Sequence, residues 1–172
     1  MPVDAKEGLE AIVAAHGKSM YRVALSIVRD PSLAEDVVQD ALTRVWLNLD
    51  SYRGDAPIGH WILRITHNAA VSMLRRIRDE SWDPALLPEN ATSDDTARTI
   101  EARDDLQQLK LALADLDELS RAMVAMRELE GMSYQAIADT LGVSLALVKI
   151  RLFRARKALV EAVESASREG AS

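Results

Sequence analysis

The chain has 172 residues, 48% of them hydrophobic, and its 21 Lys/Arg against 27 Asp/Glu leave a formal charge of −6. With no cysteine it can form neither disulfides nor thiolate metal sites, and apolar runs of only a few residues exclude direct membrane insertion. The acidic balance excludes wholesale coating of nucleic acid and leaves only local basic patches for that purpose.

The opening Met1-Pro2-Val3-Asp4-Ala5-Lys6-Glu7 carries no apolar signal segment, which suits a cytoplasmic protein. Residues 1–8 read as a loose tail. From Leu9 to Arg29, the residues Leu9, Ile12, Val13, Met20, Val23, Ala24, Ile27 and Val28 recur at helical spacing. Gly17 either divides two helices or weakens one. Asp30-Pro31 restarts the chain as a cap and a first helical residue. Glu35 and Asp36 then suit the helix dipole, and Val37, Val38, Leu42, Val45, Trp46 and Leu49 continue the apolar face. Asp36, Gln39, Asp40 and Thr43 share the polar side, whose acidity suits a protein partner better than DNA.

Gly54 and Pro57 make 52–57 a loop. A third helix is predicted from Ile58 to about Arg78, with Trp61, Ile62, Ile65, Ala69 and Met73 facing inward. No acid occurs between Ala56 and Arg78, and Arg64, Arg75, Arg76 and Arg78 form a positive patch near His60, Trp61, His67 and Asn68. Cations beside aromatic and amide groups suit unstacked, single-stranded bases. A core Trp with a solvated arginine cluster at a helix C-terminus accounts for the same residues, and the patch taken alone fits that second reading better.

From Ser81 to about Ile100, Pro84, Pro88, Asn90, Thr92, Ser93, Asp94 and Asp95 break helical periodicity, and acids outnumber the one Arg. This stretch reads as an acidic, flexible linker between two helical domains. A second helical unit starts near Glu101 or Arg103, with Leu106, Leu109, Ala112, Leu113 and Leu116 on one face. Another helix, about Ser120 to Glu130, carries Met123, Val124, Met126 and Leu129 and stops at Gly131. No sustained period-two alternation predicts a strand. The fold class is therefore all-α, with domains over 1–80 and 104–172 and a linker over 81–103.

The stretch 132–157 reads as helix, tight turn, helix. Ser133 and Ser144 can cap the two helices, and Gly142 permits the left-handed turn between them. In the second helix Leu145, Val148, Leu152, Ala155 and Leu159 fall on one side. Ala146, Ile150, Phe153 and Lys157 fall on the other, flanked by Lys149 and Arg154. From Thr140 to Val160 there are five Lys/Arg and no acid. A basic helix after a tight Gly turn is the geometry of a recognition helix in the DNA major groove; a solvated basic face on an ordinary helical hairpin is the plainer alternative. Chemistry-bearing constellations are not apparent. His60 and His67 are too far apart in sequence for the usual paired zinc ligands, His16 stands alone, the glycines form no phosphate loop and no nucleophile elbow occurs. No catalytic residue, metal or cofactor is expected.

Two segments together resemble the extracytoplasmic-function (group IV) sigma factors of the sigma-70 family, the dissociable specificity subunits of bacterial RNA polymerase. Asp30 to Arg76, with Ala34-Glu35-Asp36-Val37-Val38-Gln39-Asp40, Tyr52-Arg53-Gly54-Asp55-Ala56-Pro57 and Trp61-Ile62-Leu63-Arg64-Ile65-Thr66-His67-Asn68, is similar to sigma region 2. Leu106 to Leu159, with Leu129-Glu130-Gly131-Met132-Ser133-Tyr134 and Val148-Lys149-Ile150-Arg151-Leu152-Phe153-Arg154-Ala155-Arg156, is similar to region 4. The resemblance implies that Asp36, Gln39, Asp40 and Thr43 dock on the β′ clamp helices of core RNA polymerase, with region 4 near the β flap. It implies that Arg53, Gly54, Asp55, His60, Trp61, Arg64, His67, Asn68, Arg75 and Arg76 read and melt the −10 element, where a base is flipped into a pocket. Ser144, Ala146, Lys149, Ile150, Phe153, Arg154 and Lys157 would contact the −35 element. It further implies an anti-sigma partner, often membrane-anchored, and a linker threaded through the RNA channel.

The chain departs from the family pattern at Ile150, where a small polar residue is usual, at Ala146-Leu147 in place of a small-residue pair, at Asp117, where Pro is frequent, and at Gln135, where Glu is frequent. Two other readings stay open on the residues alone. One is a dimeric helix–turn–helix regulator on a palindrome; the other is a helical adaptor without DNA contact.

Overall fold

The computed structural model describes residues 5–80 and 100–169, with residue 171. Among them every regular element is a helix. Helices α1 (Ala5–Val28), α2 (Pro31–Leu47) and α3 (Ile58–Glu80) pack on one another as a three-helix bundle. Helices α4 (Ile100–Asp115), α5 (Glu118–Val124), α6 (Tyr134–Leu141) and α7 (Leu145–Glu169) form the second unit. The expected 81–103 linker falls mainly on residues 81–99, outside the described residues, and α4 has already begun at Ile100.

Helix α1 is one helix, with Gly17 inside it, and it starts at Ala5, so the expected 1–8 tail is helical from that residue. Space explains the tolerance at Gly17: a Cβ there would lie 3.6 Å from Val13 Cγ1, an ordinary contact. Its buried stripe is Ile12, Met20, Val23, Ala24, Ile27 and Val28, while Val13 is 44% exposed and not part of the core. The helix ends on Arg29, whose φ of 58° is the left-handed conformation usually given to glycine, and Arg29 N donates to Leu25 O at 2.9 Å. Asp30 then accepts from Leu33 N at 2.9 Å and caps α2, with Pro31 in the first turn. The buried residues of α2 are Ala34, Val37, Ala41 and Val45; Val38 and Leu42 are only partly covered. Two alanines at full burial let α2 lie close to its neighbours. In α3 the core residues are Ile62, Leu63, Ala69, Ala70 and Leu74, with Thr66 returning its hydroxyl to Ile62 O at 2.9 Å. Trp61, Ile65 and Met73, expected inside, sit half-buried at the margin.

In the second unit the helix expected over Ser120 to Glu130 is α5 followed by a π-helical turn, Ala125–Leu129. Glu130 N donates to Ala125 O at 3.2 Å and Met132 N to Met126 O at 3.0 Å, the second closing around Gly131 at φ 64°. Ser133 caps α6 through Ala136 N at 3.0 Å, Gly142 takes φ 67°, and Ser144 accepts from Leu147 N at 3.1 Å. Both caps and the turn are as the sequence predicts.

The two units are packed on each other. Helix α1 lies against α5 and the π-helical turn, and α3 lies against α6. One continuous apolar cluster includes Met20 and Val23 of α1, Met123 and Met126 of the second unit, and Val148 and Leu152 of α7.

Candidate nucleic-acid interface

The recognition-helix face is open to solvent. Ser144, Ala146, Lys149, Ile150, Phe153, Arg154 and Lys157 are all exposed, while Val148, Leu152 and Ala155 behind them are buried. Phe153 is 71% exposed and Ile150 49%. A large apolar pair on this scale, ringed by cations, marks a surface made to be covered. The five cations of this stretch divide by their partners. Among the described residues Lys149, Arg154 and Lys157 make no hydrogen bond or ion pair. Arg151 is held by Asp117 and, at 3.3 Å, by Ser120 Oγ. Arg156 is held by Glu128 at 2.7 Å and by Tyr134 Oη at 3.2 Å. Three cations therefore face solvent, and two tie α7 to its own domain.

Asp117 explains one departure from the family pattern. It caps α5, accepting from Ser120 N at 2.8 Å, and pairs with Arg151. Burial pushes its carboxyl pKa up, but the Ser120 backbone and side-chain hydrogen bonds and the Arg151 guanidinium outweigh this and hold it below the usual value. A lowered folded pKa stabilises the fold above the unfolded pKa, and that contribution is lost as pH falls through the folded one. Asp117→Ala is expected to cost about 1 kcal/mol of stability at neutral pH. The difference from wild type should shrink below about pH 4, read by urea unfolding across pH. Gln135, the other departure, is exposed and donates to Asp139 Oδ1 at 2.9 Å within α6.

The loop and α3 form the second candidate surface. Gly54 has φ 80°, so the turn requires glycine. Tyr52 donates its hydroxyl to Ala56 O and stacks obliquely on Trp61, with ring centroids 5.4 Å apart at 43°. Sequence reading treated Tyr52 only as loop, yet it is what fixes the Trp61 indole. At 100° per residue Trp61, Arg64, Asn68 and Arg75 fall within about 60° of one another, a stripe that begins on an aromatic and continues through cations and an amide. Arg53, Arg64, Asn68, Arg75 and Arg76 are exposed; His60, Trp61 and His67 are half-buried. The set does not converge on one point, because Arg75 and Arg76 lie about 20 Å along the helix from Trp61. Burial lowers the His67 pKa against the opposing effect of its contact with Asn68, so its imidazole is neutral at pH 7 and can offer a ring and a hydrogen bond but no charge.

Arg53, Asp55, His60, Trp61 and Arg64 line one side of a cleft of about 520 Å³. Its opposite wall is Ser133, Gln135, Asp139 and Thr140 of the second unit. On α2, Asp36, Gln39 and Thr43 are exposed, and Asp40 is half-buried with Oδ2 2.8 Å from Arg44. No group of three or more His, Cys, Asp or Glu among the described residues is placed to hold a metal.

The Sigma-70 region 2 profile matches residues 12–80 and the Sigma-70 region 4 profile residues 106–159. The extracytoplasmic-function sigma-E factor of Escherichia coli K12 is 33% identical over 140 residues, covering 75% of this chain and 73% of that protein. The chain belongs to the extracytoplasmic-function sigma factors. Two solved structures share the fold of this sigma factor across both units. RpoE from Bartonella quintana, in complex with the anti-sigma factor NepR, gives a TM-score of 0.72 at 24% identity, covering 94% of this chain and 97% of that one. CnrH, in complex with the cytosolic domain of CnrY, gives 0.67 at 27% identity, covering 93% and 90%. As a member of this family the sigma factor is a transcription initiation factor that works with RNA polymerase on promoter DNA. No helix among its described residues is long and apolar enough to cross a membrane.

Proposed function

We propose that the exposed α7 face reads the −35 element and that the Tyr52–Trp61 platform with the α3 stripe holds single-stranded −10 DNA. The observation that carries the first half is the separation of Lys149, Arg154 and Lys157 from the partnered Arg151 and Arg156. The unpaired cations stand for phosphates and guanine edges, and Ile150 with Phe153 stands for a thymine methyl. Replacing the thymines of the −35 element one at a time by deoxyuridine is expected to weaken wild-type holoenzyme binding at one or two positions. Ile150→Ser should bind thymine and deoxyuridine templates alike. Wild-type binding that is unchanged by deoxyuridine at every position would show that Ile150 touches no thymine methyl.

The acidic face of α2 is the docking site for the polymerase, on the β′ clamp helices, with region 4 at the β flap. Asp36→Lys with Gln39→Lys is expected to weaken core polymerase binding by about tenfold or more through like-charge juxtaposition, measured by fluorescence titration of labelled protein. Failure of the wild-type protein to bind core polymerase in that titration would overturn the reading. The work is cytoplasmic. An anti-sigma factor, in membrane-anchored or soluble form, is the inhibitor that the two bound relatives support.

A further inference from the structure

The outward face of α7 has a composition that restricts what it can read. Between Ser144 and Lys157 there is no Asn, Gln, Asp or Glu. Besides Arg156, which Glu128 and Tyr134 engage, the exposed side chains are the cations Lys149, Arg154 and Lys157, the apolar Ile150 and Phe153, and the small Ser144 and Ala146. Ser144 Oγ already accepts from Leu147 N at 3.1 Å. The chain's single phenylalanine thus stands on this face and not in a core.

Apolar and cationic side chains interleave along the face. At roughly 100° per residue Ile150 and Arg154 are about 40° apart and one turn along the axis, as are Lys149 and Phe153, and Phe153 and Lys157. Each apolar group therefore has a cation as its surface neighbour, with Cβ atoms about 5–6 Å apart. The apolar feature of a base edge in the major groove is a methyl on pyrimidine C5. Ile150 and Phe153 carry no donor or acceptor, so they register that methyl and not the ring that bears it. The neighbouring cation registers the other base of the pair. Opposite thymine stands adenine, whose N6 amino group is a donor and meets further donors in Arg or Lys; its usual readers, Asn and Gln, are missing from the face. Opposite 5-methylcytosine stands guanine, whose O6 and N7 both accept and are the commonest partners of Arg and Lys. An apolar group beside a cation therefore matches the whole of a methylcytosine–guanine pair and only part of a thymine–adenine pair.

We propose that the −35 surface of this sigma factor binds duplex DNA carrying 5-methylcytosine in preference to the unmethylated sequence, with Ile150 on the methyl, Phe153 beside it and Arg154 on the paired guanine. Methylation of cytosine C5 within a −35 element then raises the use of that promoter. The proposal rests on the −35 assignment of α7 made above.

The test uses holoenzyme and promoter fragments in which each −35 pyrimidine in turn is part of a C·G, 5-methylC·G or T·A pair. The first two differ by the methyl alone. Wild-type holoenzyme is expected to bind the methylated fragment about fourfold more tightly than the unmethylated one at one or two positions, the scale of burying one methyl. It should bind 5-methylC·G at least as tightly as T·A there. Ile150→Ser should bring the methylated and unmethylated fragments together, and Arg154→Met should lose the advantage of 5-methylC·G over T·A. Both side chains are exposed, and circular-dichroism melting confirms that each variant folds. Equal affinity for methylated and unmethylated fragments at every pyrimidine would overturn the proposal. A methyl preference that survives Ile150→Ser combined with Phe153→Ser would overturn this pair as its reader. Tighter binding of T·A than of 5-methylC·G at the methyl-sensitive position would overturn the guanine contact of Arg154. A holoenzyme that does not separate the intact −35 element from a scrambled one would overturn the −35 assignment, and the proposal with it.

Discussion

Alanine at Lys149, Arg154 and Lys157 together is expected to abolish −35-dependent promoter binding while leaving thermal stability close to wild type. All three are exposed and unpartnered, so their loss removes no contact of the folded chain, and surface changes of this kind stay within about 0.5 kcal/mol. Each phosphate lost reduces the salt dependence of binding by about 0.9 in the log–log slope, so a triple phosphate loss would lower it by about 2.7. Arg154 alone, if bidentate to a base, should cost about 1–3 kcal/mol and relax specificity at one position. Arg156→Ala serves as the contrast. Its guanidinium is engaged by Glu128 and Tyr134, so its loss should lower the melting temperature of the second unit and leave the salt slope alone. Holoenzyme titrations at several salt concentrations, with wild-type and −35-scrambled templates, measure all of this. A triple variant that keeps the wild-type slope would remove α7 from the DNA.

Trp61→Ala is expected to block promoter opening with a loss of about 1–3 kcal/mol, the value of stacking one base on an aromatic ring. Tyr52 holds the indole at the mouth of the loop, and Tyr52→Leu should produce a smaller loss of the same kind. Trp61→Phe should retain most of the activity. Permanganate reactivity of −10 thymines reads opening directly. If the ring holds an extruded base, the Trp61→Ala defect persists on a template already melted at −10. If Trp61 acts only in separating the strands, the pre-melted template rescues it. Core polymerase affinity should not change in either case, since the α2 face is untouched. Equal permanganate reactivity in wild type and Trp61→Ala would assign the residue to packing alone.

The helix–turn–helix was legible because three independent signals coincide in it. Apolar period, capping serines and a left-handed glycine all point to the same boundaries, and the structure reproduces each. The outward set on α7 was legible for the same reason: a long helix with an acid-free face sorts its residues by angle alone. The partition of its cations was not. Asp117 and Glu128 stand 34 and 28 residues from the arginines they hold, and no local pattern signals such pairs. Ala34 and Ala41 were overlooked as core because alanine contributes little to a hydrophobic stripe, although close helix packing selects it. Gly59 was missed similarly: a Cβ there would come within 3.2 Å of the His16 ring, so a larger residue would press on that imidazole where α3 meets α1. The π-helical turn at Ala125–Leu129 has no composition of its own and arises where α5 must meet the Gly131 turn. The packing of one unit on the other lay beyond periodicity, since the partners of Arg121 and Glu130 stand 95 and 111 residues away in the chain.

The central claim is that this chain directs polymerase to particular promoters by gripping two separated elements. Run-off transcription of genomic DNA by core polymerase, with and without the purified protein, followed by sequencing of the RNA 5′ ends, tests it most directly. The expected result is a small set of new start sites that share two upstream sequence blocks at constant spacing and vanish with the Lys149, Arg154 and Lys157 triple variant. Polymerase that binds the protein yet gains no defined start site, or gains sites sharing only one block, would contradict it.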